Sequence, residues 1–212
     1  MPKIFVEGKG RDALTFEFAD RWQVFKYDAV TEGNFYNTLK FHGYKAVDFV
    51  GISKNTLMLM EVKYVRADNQ RSSLRFIQQD SNFNAIVQSL REKSTPQELN
   101  SVNFKNKRPY LIDEVDKKVR DTLLGLFANC RRNNQKPSNL PLCNQDFLIN
   151  KLIFVILFLE RSEELNQPEV FKPMALDIKL ALEQRLSVLG NIRVDVVNTL
   201  TMPPALGITV ST

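Results

Sequence analysis

Residues 45–65 read K-A-V-D-F-V-G-I-S-K-N-T-L-M-L-M-E-V-K-Y-V, and the folding of this stretch decides how the rest of the chain is read. Two apolar runs flank a short polar segment around Lys54 and Asn55, which predicts two strands joined by a tight turn. Side chains two apart in a strand share a face, so Leu57, Leu59, Glu61, Lys63 and Val65 are expected on one side. Met58, Met60, Val62 and Tyr64 then lie on the other. With Lys54 and Asn55 as a two-residue turn, Ser53 pairs with Thr56, and the same register sets Asp48 directly opposite Glu61.

Facing carboxylates repel on a sheet, and buried carboxylates are costly unless paired or bound to a metal. A hard divalent cation held by both acids offsets that cost and, with Lys63 beside it, makes an arrangement suited to phosphodiester cleavage. The competing reading treats Glu61 and Lys63 as ordinary polar residues of a solvated strand face, with Asp48 nearby by coincidence.

Asp48 followed by Glu61-Val62-Lys63 resembles the core of the PD-(D/E)xK nuclease superfamily. Asp48 stands as the first acid and Glu61-Val62-Lys63 as the second half of its motif, while Ala46-Val47 occupies the place of the eponymous proline. The resemblance implies an α/β restriction-endonuclease-like fold with a mixed central sheet flanked by helices. It further implies a DNA-cleaving enzyme in which Asp48, Glu61 and the backbone carbonyl of Val62 hold Mg2+ or Mn2+. Lys63 then acts on the attacking water and the transition state. Members often carry an extra acid ahead of the hairpin, where Glu32 or Asp28 stands. Some exonuclease-like members carry Gln-x-x-x-Tyr on the following helix. Gln79-Asp80-Ser81-Asn82-Phe83 is similar to it with Phe in place of Tyr, although a surface glutamine beside a core phenylalanine is the favoured reading. The superfamily also includes non-catalytic nucleic-acid-binding or assembly subunits, and that alternative stays open.

The chain has 212 residues, 43% of them hydrophobic and 25% charged, enough for one domain with a substantial core; a single domain over 1–212 is expected. No secretory leader is expected from the opening M-P-K-I-F-V-E-G-K-G, and the most apolar run, 152–159, falls short of a membrane span, so a cytoplasmic protein with no membrane partner is expected. Cys130 and Cys143 match neither a CxxC pair nor a disulfide framework and read as buried thiols. The net charge of +5 is unevenly spread: residues 105–136 hold nine Lys or Arg against four Asp or Glu. That excess suits contact with a phosphate backbone or, equally, a solubilising surface.

Residues 16–27 read as one or two strands, with Trp22 in the core. Asn34 is placed to cap a short helix that Gly43 stops. A helix is expected over 74–93 and another over 113–130. In the second, Val115, Val119, Leu123, Leu126, Phe127 and Cys130 form the packing face, and Lys117, Lys118 and Arg120 form a charged face that is either simply solvated or in contact with nucleic-acid phosphates. Residues 151–160 hold an unbroken apolar run between Lys151 and Glu160, as expected of a central strand covered on both faces. A proline-containing linker over 161–173 leads to a helix over 174–189 and a last strand over 192–197, with the tail from about 198 to 212 unassigned. His42, the single histidine, reads as a helix-end residue, so histidine-based metal sites have little support. No P-loop spacing is present, and any ATP hydrolysis must come from a separate ATPase in a defence, restriction or repair complex, or the chain acts as a homodimer.

Overall fold

The computed structural model describes residues 2–8, 10, 13–29, 36–65, 75–76, 92, 110–132 and 151–211. In chain order these form β1 (Lys3–Glu7), β2 (Leu14–Phe18), β3 (Gln23–Lys26), α1 (Tyr36–Lys40), β4 (Phe49–Ile52), β5 (Thr56–Val65) and α2 (Leu111–Arg132). They continue with β6 (Leu152–Arg161), α3 (Glu163–Asn166), α4 (Pro168–Leu186), β7 (Ile192–Val197) and β8 (Ile208–Ser211). The chain divides into two units, residues 1–66 with 115–212, and residues 67–114. In the second unit, the Arg75 guanidinium pairs with Glu114, and the Arg75 carbonyl accepts the Leu111 N–H at 2.8 Å.

The larger unit is α/β, built on a mixed five-stranded sheet in the order β3-β4-β5-β6-β7. The hairpin has the register read from its turn: Phe49 faces Met60, Ile52 faces Leu57, and the Ser53 N–H closes on the Thr56 carbonyl at 3.0 Å. Strands β5, β6 and β7 run parallel, so each step between them requires a crossover, and α4 packs against β7 on the last. Strand β6 is buried from Ile153 to Glu160 and paired on both edges, as its apolar run leads one to expect. The middle strand, however, is β5.

A second, three-stranded sheet, β1-β2-β8, covers one face of the first. Leu14, Phe16 and Phe18 alternate inward from β2, and the Phe16 ring lies 5.5 Å from Phe49 and 5.1 Å from Phe158. Met58 and Met60 join this core, while Leu57, Leu59 and Glu61 point the other way, as the two-residue strand period requires. Residues 16–27 therefore contain two strands, and these belong to different sheets. Trp22 is buried with its indole N–H on the Leu206 carbonyl at 2.7 Å. His42 follows α1, its N–H on the Leu39 carbonyl at 2.9 Å.

Three expectations change. The tail, unassigned from sequence, carries a strand: residues 208–211 form β8, which pairs with β2 after a 3-10 turn over Pro204–Leu206. Gly207 leaves that turn at φ 61°, where a Cβ would come within 3.0 Å of Ala19. The final helix begins at Pro168 rather than at 174, with Pro173 inside it. Proline in a helix interior costs about 3 kcal/mol, but burial of Phe171, Ala175, Ile178, Leu182 and Leu186 along one stripe outweighs it. On α2, Phe127 is half exposed, and Thr122 and Asn129 take buried positions instead. Cys130 is half-buried.

Buried polar groups close the C-terminal ends of β6 and β7. Glu160 accepts from Asn166 and from both the N–H and hydroxyl of Thr199, and the Asn198 carboxamide oxygen accepts from Leu200 and Thr201. Such a satisfied network holds a turn in place. Among the described residues no helix is long and apolar enough to cross a membrane.

Candidate active site

The ladder between β4 and β5 ends at the Phe49–Met60 pair, one residue short of the two acids. There Asp48 turns its side chain into the space a strand partner has left, and its Oδ2 accepts the Val62 N–H at 2.5 Å. The Asp48 carbonyl accepts the Tyr27 N–H at 2.8 Å, one step past the Lys26–Phe49 pair that ends the β3–β4 ladder. Helix α2 secures the approach: Thr122 Oγ1 accepts the Val47 N–H at 3.0 Å, and Asp121 Oδ2 accepts the Lys45 N–H at 2.8 Å. Gly125 permits this closeness, because a Cβ there would lie 2.6 Å from Leu39 Cδ1 and 2.7 Å from the Tyr27 hydroxyl.

Glu61 is fully buried. Its Oε1 receives two ammonium groups, Lys63 Nζ at 2.7 Å from the same strand face and Lys118 Nζ at 2.6 Å from α2. Lys118 also stands 3.9 Å from Asp48 Oδ1. Glu61 Oε2 is buried without a hydrogen-bond partner. The chain thus brings Asp48, Glu61 and Lys63 together as the hairpin register implies, and it adds Lys118.

That addition changes the charge argument. Two facing acids with no other partner demand a metal; here two lysines already offset them. Metal is therefore not required to keep the acids buried. The oxygens left over still suit one: Glu61 Oε2 is orphaned and Asp48 Oδ1 lies beyond hydrogen-bond reach of Lys118. The Val62 carbonyl shares the strand edge of its own N–H, which faces Asp48. Among the described residues no group of three or more His, Cys, Asp or Glu is arranged to hold an ion. A cation here would rest on two carboxylates, the backbone oxygen and water, a donor set that fits Mg2+ or Mn2+.

Lys118 was expected on an outward face with Lys117 and Arg120. Its side chain is instead mostly buried, at 16% exposure, against 54% for Lys117 and 57% for Arg120. The outer two are paired along the helix, Lys117 with Asp121 and Arg120 with Asp116. The signal was available: Lys118 lies three residues after Val115 and four before Thr122, on the inward side of the turn. Glu32 and Gln79 lie outside the described residues. Asp28 is described, with Oδ1 buried and lacking a hydrogen-bond partner. Burial, then the nearby Glu7, raises its carboxyl above the usual carboxylate range.

Burial and the Glu61 carboxylate push the Asp48 carboxyl up to about 8, against the pull of Lys118 and the Val62 N–H. Glu61 is also raised by burial, opposed by Lys63 and Lys118. Among the described residues, the charged groups acting on Asp48 are Glu61 from β5, Lys118 from α2 and Asp28 beyond β3. Above about pH 4 the unfolded chain releases the Asp48 proton while the folded chain keeps it, so the folded state binds more protons. Without metal, stability is expected to fall as pH rises from about 4 to 8, with a slope of up to about 1.4 kcal/mol per pH unit from this one group. Urea denaturation of wild type and Asp48→Asn across that range checks it. Identical pH profiles would show that Asp48 ionises normally.

Comparison of the chain with family models, with curated proteins and with solved structures finds no match.

Proposed function

We propose that this chain is a metal-dependent nuclease of restriction-endonuclease-like fold, hydrolysing phosphodiester bonds in DNA. The observation that carries the reading is the hairpin end, where Asp48 and a wholly buried Glu61 meet with Lys63 on the same carboxylate and Glu61 Oε2 unpaired. The α/β architecture supports it, with the acids at the end of an antiparallel pair that joins a parallel sheet. Asp48, Glu61 and the Val62 carbonyl are the groups that would hold a divalent cation. When bound, such an ion supplies charge neutralisation at the phosphate and a bound water of lowered pKa. Val62 N–H fixes the orientation of Asp48, and α2 fixes its backbone through Thr122 and Asp121. Lys63 holds its ammonium beside Glu61, placed to orient the attacking water and to meet the charge that develops on the phosphate. Lys117 and Arg120 lie exposed on α2 and are the described cations of the proposed nucleic-acid path.

The test is cleavage of duplex DNA, single-stranded DNA and RNA titrated with Mg2+ or Mn2+. Lys63→Ala is expected to lose about 10²–10⁴ in rate while still binding metal, because Asp48, Glu61 and the Val62 carbonyl are left in place. Full activity in that variant would remove Lys63 from the chemistry. A second reading, a non-catalytic nucleic-acid-binding or assembly subunit, is favoured by one observation, the offset of both acids by lysines of the chain itself. Nucleic-acid binding without cleavage under every metal would support it.

A further inference from the structure

We infer that Lys118 is a built-in counterion standing in for the divalent cation: its ammonium sits on Glu61 and beside Asp48 while the site lacks metal and is displaced when metal binds. This rests on the reading of Asp48 and Glu61 as metal ligands and goes beyond it by assigning a device that sets when the ion enters. Among the described residues, Lys118 is the cation that lies close to both acids, 2.6 Å from Glu61 Oε1 and 3.9 Å from Asp48 Oδ1. A divalent ion against the same two carboxylates would be within a few ångströms of that ammonium, and like charges so close in a buried place repel strongly. One of them has to leave.

The geometry says which one moves and how. The α2 backbone is anchored by the buried Val115, Val119 and Leu126, and by the Thr122 and Asp121 contacts to residues 45–47, so the helix itself is fixed. Lysine carries its charge on a flexible four-carbon stem, and the Lys118 side chain already reaches solvent over 16% of its surface. Rotation of that stem releases the ammonium without moving the acids. Glu61 keeps Lys63 on Oε1 during the exchange, while its unpaired Oε2 gives the incoming ion a contact that Lys118 does not use. The acids therefore stay buried and ordered in both states, and metal affinity is set by competition with an internal cation.

Two measurements test this. In the intact wild-type chain, acetic anhydride labelling read by mass spectrometry is expected to modify Lys118 several-fold faster at saturating Mg2+ than in chelator, with Lys117 as the exposed internal reference. In calorimetric titration, Lys118→Met is expected to bind Mg2+ or Mn2+ about 10-fold more tightly or better, within the roughly 5–150-fold range by which one bound group commonly changes the affinity for another. Lys63→Met, which removes a cation that does not bridge the acids, serves as the comparison and is expected to change affinity less. If wild type binds metal but Lys118 labelling is unchanged and the variant binds no tighter, the counterion role is overturned and the metal site stands. If neither protein binds metal, both readings fall together. If Lys118→Met does not fold, the wild-type labelling decides.

Discussion

Glu61→Gln should lose more than about 100-fold of metal-dependent cleavage, because even partners one shell out from a metal typically cost 10–100-fold when removed. The substitution keeps the side-chain volume in a fully buried position and removes the charge that would hold the cation. The loss should be accompanied by a second sign. Mg2+ should raise the melting temperature of the wild type and leave that of the variant almost unchanged, since ligand binding stabilises only a protein that can bind it. Alanine is the poorer choice here, because it leaves a cavity and takes from Lys63 and Lys118 the carboxylate that both contact, and breaking a buried pair in that way costs about 3–5 kcal/mol. Circular dichroism separates lost chemistry from lost fold. A folded Glu61→Gln chain that cleaves within a few-fold of wild type would remove Glu61 from the site.

The largest effect expected on stability is at Phe16. It is fully buried on β2 and its ring meets Phe49 and Phe158 of the five-stranded sheet, so it joins the two sheets. Phe16→Ala should destabilise the chain by about 3–5 kcal/mol, the usual cost of emptying a buried phenylalanine site. That is a large share of the roughly 5–15 kcal/mol by which domains are stable. Phe41, at 91% exposure, is the control, and Phe41→Ala should fall within about 0.5 kcal/mol of wild type in the same urea titration. A Phe16→Ala loss below about 1 kcal/mol would mean that β1, β2 and β8 do not share a core with the larger sheet.

The hairpin and its acids were legible because everything that sets them is local. A two-residue turn fixes register, and a period of two then assigns every side chain of β5 to a face. The burial of 153–160 followed in the same way from an unbroken apolar run. Local signals misled where burial overrode them, as at Pro173, where a buried stripe carries the helix through a residue that ordinarily ends one.

What residue order by itself determined was the α/β class, the β4–β5 register and the meeting of Asp48, Glu61 and Lys63. Tertiary structure alone decided the rest of the site and the second sheet. Lys118 reaches Glu61 across 57 residues, and Asp28 joins the charge balance from beyond another strand. Strand β8 pairs with β2 from the far end of the chain. No spacing rule encodes such meetings, because each depends on which faces are left to bury once the five-stranded sheet has formed. The helical period turns Lys118 inward, but only the fold lays that side of the helix over two buried acids.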